Sequence, residues 1–401
     1  MRDLSATAEL TRDLLARVES IRADVGLHPC AGESERERTD LVQVAIRQKG
    51  LYAMLLPQAL GGLEAPPTVT LTVLEALARI DSSASWNLGL SGAGLARAAY
   101  LPETGIGAVF GGGEVPAFAG AGFPPGSAIR ADGGYRVSGQ VSFASGCRHA
   151  DWLFFPALVS DEQGPIVNAE TGRPGVIMAF FPRNQIEIID TWHVMGMQGT
   201  QSSDIRASNV FVPESLAEMI GSHPQTARSP AFSGPLYQMD AWIGINSETA
   251  VALGIASAAI DSLIELAATK MPAMSAVPLR DRELIQANAG KARSLLESAR
   301  YYLHGAATQA YEILAAGEQL GAEMKTSLQL ANCHAAEASA RAVDLVFESA
   351  GSSAIRTELP FERYFRDVHV ITTHTTKSAM RYASAGKLMF GLPTDAPHLQ
   401  A

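Results

Sequence analysis

The chain changes its hydrophobic period twice, and few architectures accommodate that order. Up to residue 112, apolar side chains recur every three or four positions, as in "SATAELTRDLLARVESIRADV" and "RTDLVQVAIRQKGLYAMLL", with breaks at Gly61–Gly62 and Pro66–Pro67. From 113 to 225 the period falls to two. "GSAIRADGGYRVSGQVSFASG" alternates around a DGG turn, the pattern of a β-hairpin, and "DWLFFPALVS", "PGVIMAFFP", "QIEIIDTW" and "SDIRASNVFVP" read as further strands. From 226 onward the helical period returns in four long segments, 241–266, 282–315, 325–350 and 361–391. The order predicts an α+β chain: an N-terminal helical domain (1–112), a small, antiparallel central β-domain (113–225) and a C-terminal four-helix bundle (226–401).

Composition narrows the function classes. The chain has 401 residues, 47% of them apolar, enough for a sizeable core, and only 18% charged, in keeping with surface buried between subunits. Net charge is −10 and no Lys/Arg-rich tract occurs, which argues against nucleic acid as a partner. Cys30, Cys147 and Cys333 are odd in number and lack CxxC spacing, so they read as reduced, non-metal thiols of a cytoplasmic protein. The N-terminus carries acids and no apolar core of a signal peptide. The most apolar tract, residues 250–268, is interrupted by Asp261 and Glu265 and reads as a buried helix, so no membrane association is expected.

One stretch sets propensity against pattern. "RDVHVITTHTTK" (366–377) holds His369 and His374, and seven of the nine residues from Val368 to Thr376 are β-branched, which favours a strand. Yet Phe361, Tyr364, Phe365 and Val368 just before it repeat at helical spacing. On a helix the two imidazoles would lie about 140° apart and could not face one ligand equally. The Gly-rich stretches "GAGLAR" and "GGGE" lack the strand–turn–helix context of a nucleotide-binding loop. No HExxH-type spacing points to a metal, and no GxSxG elbow points to a hydrolase.

Four segments carry a family resemblance. "GLYAMLLPQALGGLEA" (50–65), "VSFASGCRHADW" (141–152), "WHVMGMQGTQSSDIRASNVFVPE" (192–214) and "FESAGSSAIRTELPFERYFRDVHV" (347–370) resemble acyl-CoA dehydrogenases. Within that fold they resemble most the flavin-dependent monooxygenases, such as hydroxyphenylacetate hydroxylase oxygenase components and dibenzothiophene monooxygenases. The resemblance implies a homotetramer that uses reduced flavin (FMN or FAD) and O2. A separate NAD(P)H-flavin reductase would supply the flavin, since no NAD(P)H site is visible. It implies that Phe143 lies against the flavin ring, Ser145 near its N5 and Trp192 at its border. It also implies that Lys270 reaches the ribityl chain or phosphate, and that Gly351, Ser352 and Ser353 of "AGSS" meet the cofactor from a neighbouring subunit.

The family's two chemistries need different residues. Dehydrogenation of an acyl-CoA needs a carboxylate base over the substrate. The resemblance places that glutamate where this chain has Thr375, and no Asp or Glu occurs between Asp367 and Asp395. The monooxygenase branch instead carries a histidine there, which makes His374 the candidate to hydrogen-bond a C4a-hydroperoxyflavin and exchange a proton with substrate. Phenol-hydroxylating relatives carry a second histidine soon after a tryptophan equivalent to Trp86. Here "SWNLGLSGAGLARAAY" has none, which leaves Asn87 or Ser91 beside Trp86 as candidate pocket residues. The expected activity is hydroxylation of a small, apolar aromatic or heteroaromatic substrate. N- or S-oxygenation, a dehydrogenase or oxidase with a relocated base, and an inactive flavin-binding protein are the alternatives.

Overall fold

Sequence punctuation sets the first helices in the computed structural model, which describes residues 4–26, 34–167, 172–220 and 228–400. Cys30 and His28 lie outside the described residues. Helix α1 (Leu4–Val25) is followed by α2 (Glu35–Gln48), which opens on a reciprocal capping box between Ser34 and Glu37. Helix α3 (Pro67–Ala78) starts at the Pro66–Pro67 break, where a missing N–H costs nothing. Asp81 caps α4 (Ser82–Ala98) by accepting from the Ala84 N–H at 2.7 Å. A short α5 (Glu103–Phe110) leads into the sheet.

Among the described residues nine strands form one sheet: β1 (Phe118–Gly120), β2 (Gly126–Ala131), β3 (Gly134–Val141), β4 (Trp152–Asp161), β5 (Gly164–Pro165), β6 (Val176–Pro182), β7 (Glu187–Ile189), β8 (Asp204–Pro213) and β9 (Ala217–Ile220). The order is β7-β8-β3-β2-β4-β6-β9, with β1 and β5 also on β4. The hairpin turns at Asp132–Gly133, as the DGG signal predicts. The sheet is mostly antiparallel, but β4 pairs parallel with β1 and β2. The reason is topological. The loop 142–151 carries the chain from β3 past β2 to the far edge of β2, so β4 runs beside β2 in the same direction. That crossing loop bears Phe143 and Ser145.

After the sheet come α6 (Pro235–Gln238), α7 (Trp242–Thr269), α8 (Glu283–Ala315), α9 (Ala322–Ala350), α10 (Phe361–Thr372) and α11 (Met380–Met389). Helix α7 is apolar nearly all round, as a helix surrounded by others must be. It touches α3, α4, α8, α9 and α10. By length and composition it could cross a membrane, yet 72% of its most apolar window is buried inside this fold.

The fourth predicted helical segment, 361–391, is instead two helices joined by a turn at 373–379. The β-branched run explains the break. Thr372 and Thr373 turn their hydroxyls back onto the carbonyls of His369 and Val370, both at 2.8 Å, competing with helix propagation. His374 therefore sits in a turn beyond α10 rather than on a helix. His369 remains on α10, bonded through Nε2 to Asp344 at 3.0 Å.

Close packing of α7 on α3 offers a stability test. A Cβ on Gly254 would lie 2.5 Å from the Glu75 carbonyl oxygen and 2.6 Å from the Ala78 methyl. Gly254→Ala is expected to lower the unfolding free energy by about 1–3 kcal/mol. Chemical denaturation checks this, and an unmoved midpoint would disprove the close α3–α7 crossing.

Candidate active site

Five segments converge on a cavity of about 510 Å³: α4, the loop after β1, the loop after β3, the loop after β7 and the end of α10. Ligand pockets span roughly 300–1,000 Å³. Of the residues expected at the site, Trp86, Phe143, Ser145, Trp192 and His374 all line it. Among the described lining residues there is no Asp, Glu, Lys or Arg, and His374 is the one titratable side chain.

One wall is a ladder of hydroxyls. Thr200 Oγ1 donates to the Met197 carbonyl at 2.9 Å, so it accepts from Ser202, 2.7 Å away. Ser202 in turn accepts from Ser145 at 2.7 Å, and Ser145 accepts from the Trp86 indole N–H at 3.3 Å. Each hydroxyl proton is thereby committed, and Ser145 has only a lone pair left to offer the cavity. The loops are tied together behind it, with Ala144 N–H on Ser203 C=O at 3.2 Å and Gly146 N–H on Thr200 C=O at 2.9 Å.

Backbone strain collects on the same loops. Phe143 sits in the left-handed region at φ 66°, as do Met197 at 53° and Gln201 at 46°. Such non-glycine positions cost about 1–3 kcal/mol each and cluster at functional sites. The effect at Phe143 is to hold a ring that is 71% exposed over the cavity, edge-on to Trp192 with centroids 5.9 Å apart. Trp192 is itself fixed by its indole N–H on the Met197 carbonyl at 3.0 Å.

The opposite wall is His374, with 35% of its side chain exposed and its ring edge-on to Trp86 at 5.4 Å. Its Nδ1 lies 2.9 Å from Thr376 Oγ1 and 3.3 Å from Glu248 Oε2. Burial pushes the imidazole pKa below its ordinary value, Glu248 works against that, and Lys377 adds to it. Glu248 comes from α7, is 5% exposed, and takes a short hydrogen bond from the buried Lys377 ammonium. Sequence reading missed this carboxylate, although "INSETAVALG" holds the one acid between Trp242 and Ile260.

Three expectations meet the structure differently. Ser91 is not among the residues that line the cavity, and its Oγ accepts the Phe118 N–H at 2.9 Å. Asn87 also points elsewhere, buried against Gly146, with neither carboxamide atom bonded. Helix geometry gives the reason, since Trp86 and Leu90, four apart, share the cavity face while position 87 is turned about 100° away. Lys270 and the turn Gly351, Ser352 and Ser353 do come together, Lys270 Nζ donating to Ala350 C=O and Ser353 Oγ, both at 2.7 Å. But Lys270 lies 22 residues along from Glu248, about 33 Å at helical rise, so within one chain this cluster is remote from the cavity.

Residues 247–379 match the family described as acyl-CoA dehydrogenase, C-terminal domain. An indole-3-acetate monooxygenase of Pseudomonas putida is 30% identical over 90% of this chain and 90% of its own length. The flavin-dependent monooxygenase oxygenase subunit HsaA of Mycobacterium tuberculosis is 28% identical over 95% of this chain and 96% of its own. XiaF from Streptomyces sp., solved in complex with FADH2 and glycerol, has the same fold, with a TM-score of 0.86 at 24% identity and 98% coverage of each chain. The chain belongs to the flavin-dependent monooxygenases built on the acyl-CoA dehydrogenase fold, and it uses flavin and O2.

The residues present suit a reduced flavin. Ser145 can only accept, and the N5–H of a reduced isoalloxazine is a donor. Phe143 supplies an apolar face already held in place. Phe143→Gly is expected to leave the unfolding midpoint unchanged or slightly raised, because it removes left-handed strain. It should weaken reduced-flavin binding about tenfold through lost ring contact. Paired melting and flavin titration check this; equal loss of both would mean the ring is structural.

Proposed function

We propose that this chain is the oxygenase component of a two-component system that hydroxylates a small, neutral aromatic or heteroaromatic ring, such as an indole or phenol. A separate NAD(P)H-flavin reductase provides the reduced flavin, FMN or FAD. One observation carries the reading: the cavity has an imidazole at its only ionisable position and no carboxylate among its described walls. The carboxylate nearest to that imidazole, Glu248, is engaged with Lys377 behind it and does not reach the cavity, so a relocated dehydrogenase base is not favoured.

A reduced flavin held there would supply the electrons that activate O2, from which the transferred oxygen atom comes. This chain's residues do the rest. Ser145 accepts a hydrogen bond and fixes orientation. Trp86, Leu90, Val370 and Ile371 exclude water and bury an apolar ring. His374 exchanges a proton with the substrate. The lack of a cationic wall side chain speaks for a neutral substrate over a carboxylated one. The remote cluster of Lys270, Gly351, Ser352 and Ser353 supports a homotetramer in which a neighbouring copy presents this turn to the flavin phosphate. The reading also includes a cytoplasmic location, without membrane association.

The test supplies the purified protein with reduced FMN or FADH2, labelled O2 and a panel of indoles and phenols. One labelled oxygen should appear in product, and His374→Ala should lower kcat/KM by about 10²–10⁴-fold. Bleaching of oxidised flavin by acyl-CoAs without O2, and no labelled product, would overturn the reading in favour of dehydrogenation.

A further inference from the structure

Behind His374 lies a buried network that the proposed reaction leaves unused. Lys377 Nζ donates to Glu248 and, at 2.8 Å, to Thr376 Oγ1. Thr376 Oγ1 donates to Glu248 Oε2 at 3.2 Å. A hydroxyl has one proton and two lone pairs. With its proton on Glu248 and one lone pair on Lys377, Thr376 can only accept from His374 Nδ1, 2.9 Å away. The same nitrogen faces the carboxylate oxygen at 3.3 Å, where a bare lone pair would be repelled. Both contacts require a proton on Nδ1. Among the described residues, Nε2 has no protein partner.

We propose that Glu248, acting directly and through Thr376, is a positioning residue that holds His374 as its Nδ1–H tautomer and presents a bare Nε2 to the cavity as a proton acceptor. The proposal rests on the reading of His374 as the group that meets substrate. It reverses the expected polarity of that group: the resting imidazole accepts a substrate O–H or N–H proton and becomes a donor only afterwards. The substrate class is thereby narrowed to rings bearing an acidic O–H or N–H. Glu248 then steadies the imidazolium, with Nδ1–H unmoved and the new proton on Nε2. The charged groups around His374 are Glu248 from α7 and Lys377 from its own turn. Among the described residues, Trp86 of α4 meets the His374 ring, and from α9 Gln329 bonds the Thr376 carbonyl while Cys333 lies beside Lys377.

The two charges act on the imidazole with opposite signs, which gives the experiment. Glu248 raises its pKa and Lys377 lowers it. The ring nitrogen resonances of His374 are followed against pH in the full-length, ligand-free protein and assigned by their loss in His374→Gln. The acid limb of kcat/KM is measured alongside. Wild type should show a protonated Nδ1 and a bare Nε2. Glu248→Gln should move the midpoint and the acid limb to lower pH and cut kcat/KM about 10- to 100-fold, the range typical of partners behind a working histidine. Glu248→Asp should recover most of that loss. Lys377→Met should move the midpoint upward, and the Glu248→Gln/Lys377→Met double variant, which buries no unpaired charge, should fall between the single variants. An Nε2–H tautomer, or midpoints unmoved by either charge while His374→Gln is inactive, overturns the proposal alone. Full activity in His374→Gln overturns the reading of the site and the proposal with it.

Discussion

The buried carboxylate of Asp367 joins three parts of the molecule that would otherwise have no reason to hold one geometry. It lies on α10, accepts the Met197 N–H of the loop after β7 at 2.5 Å, and accepts the Ser82 hydroxyl at the start of α4 at 2.6 Å. Burial pushes its pKa up, while Arg363 and the two hydrogen bonds pull it down. Hydrogen bonds to charged groups contribute about 1.5–3 kcal/mol each, and breaking a buried charged contact costs more. Met197 needs such a clamp because it sits at positive φ. Its carbonyl in turn anchors Trp192 and Thr200, so the hydroxyl ladder and the ring at the cavity edge both trace back to this one carboxylate.

Much of this was legible in the sequence, for identifiable reasons. The switch of hydrophobic period gives helices, then strands, then helices, because period follows which face is buried and tertiary context seldom overrides it over long windows. The parallel pairing on β4 was not legible, since alternation says nothing of which edge a strand joins. The helix break at 373 was half legible: seven β-branched residues argue against a helix, and the helical period up to Val368 argues for one. Both signals are right, each for its own half of the segment. Trp86 lines the cavity, yet nearness in sequence groups Asn87 and Ser91 with it, where a helix groups by threes and fours.

Glu248 shows the converse failure. The segment in which the resemblance to acyl-CoA dehydrogenases places a carboxylate has none here, but absence from that segment is not absence from the neighbourhood. Folding brings α7 across, and an acid within its buried apolar stretch is costly to bury without a partner. That cost is the signal a sequence reading could have used: "INSETAVALG" demands a cation, and Lys377 in "THTTKSAM" is the one that folds onto it.

Placing that carboxylate behind the imidazole rather than in the cavity has an electrostatic consequence. At rest the Glu248–Lys377 pair is neutral and so is His374, so the apolar cavity meets no net charge. Protonating His374 alone would add a positive charge beside Lys377 in a poorly solvated site, which is why burial and Lys377 both hold its pKa down. The unfavourable charge is cancelled only when the proton comes from a group that becomes an anion in the same cavity. At short range and low dielectric that attraction amounts to several kcal/mol. With His374 in the proposed role, such a site would resist protonation from solvent and permit it from a bound substrate. Serine and threonine hydroxyls, which do not ionise near neutrality, line the opposite wall and cannot compete as the acid.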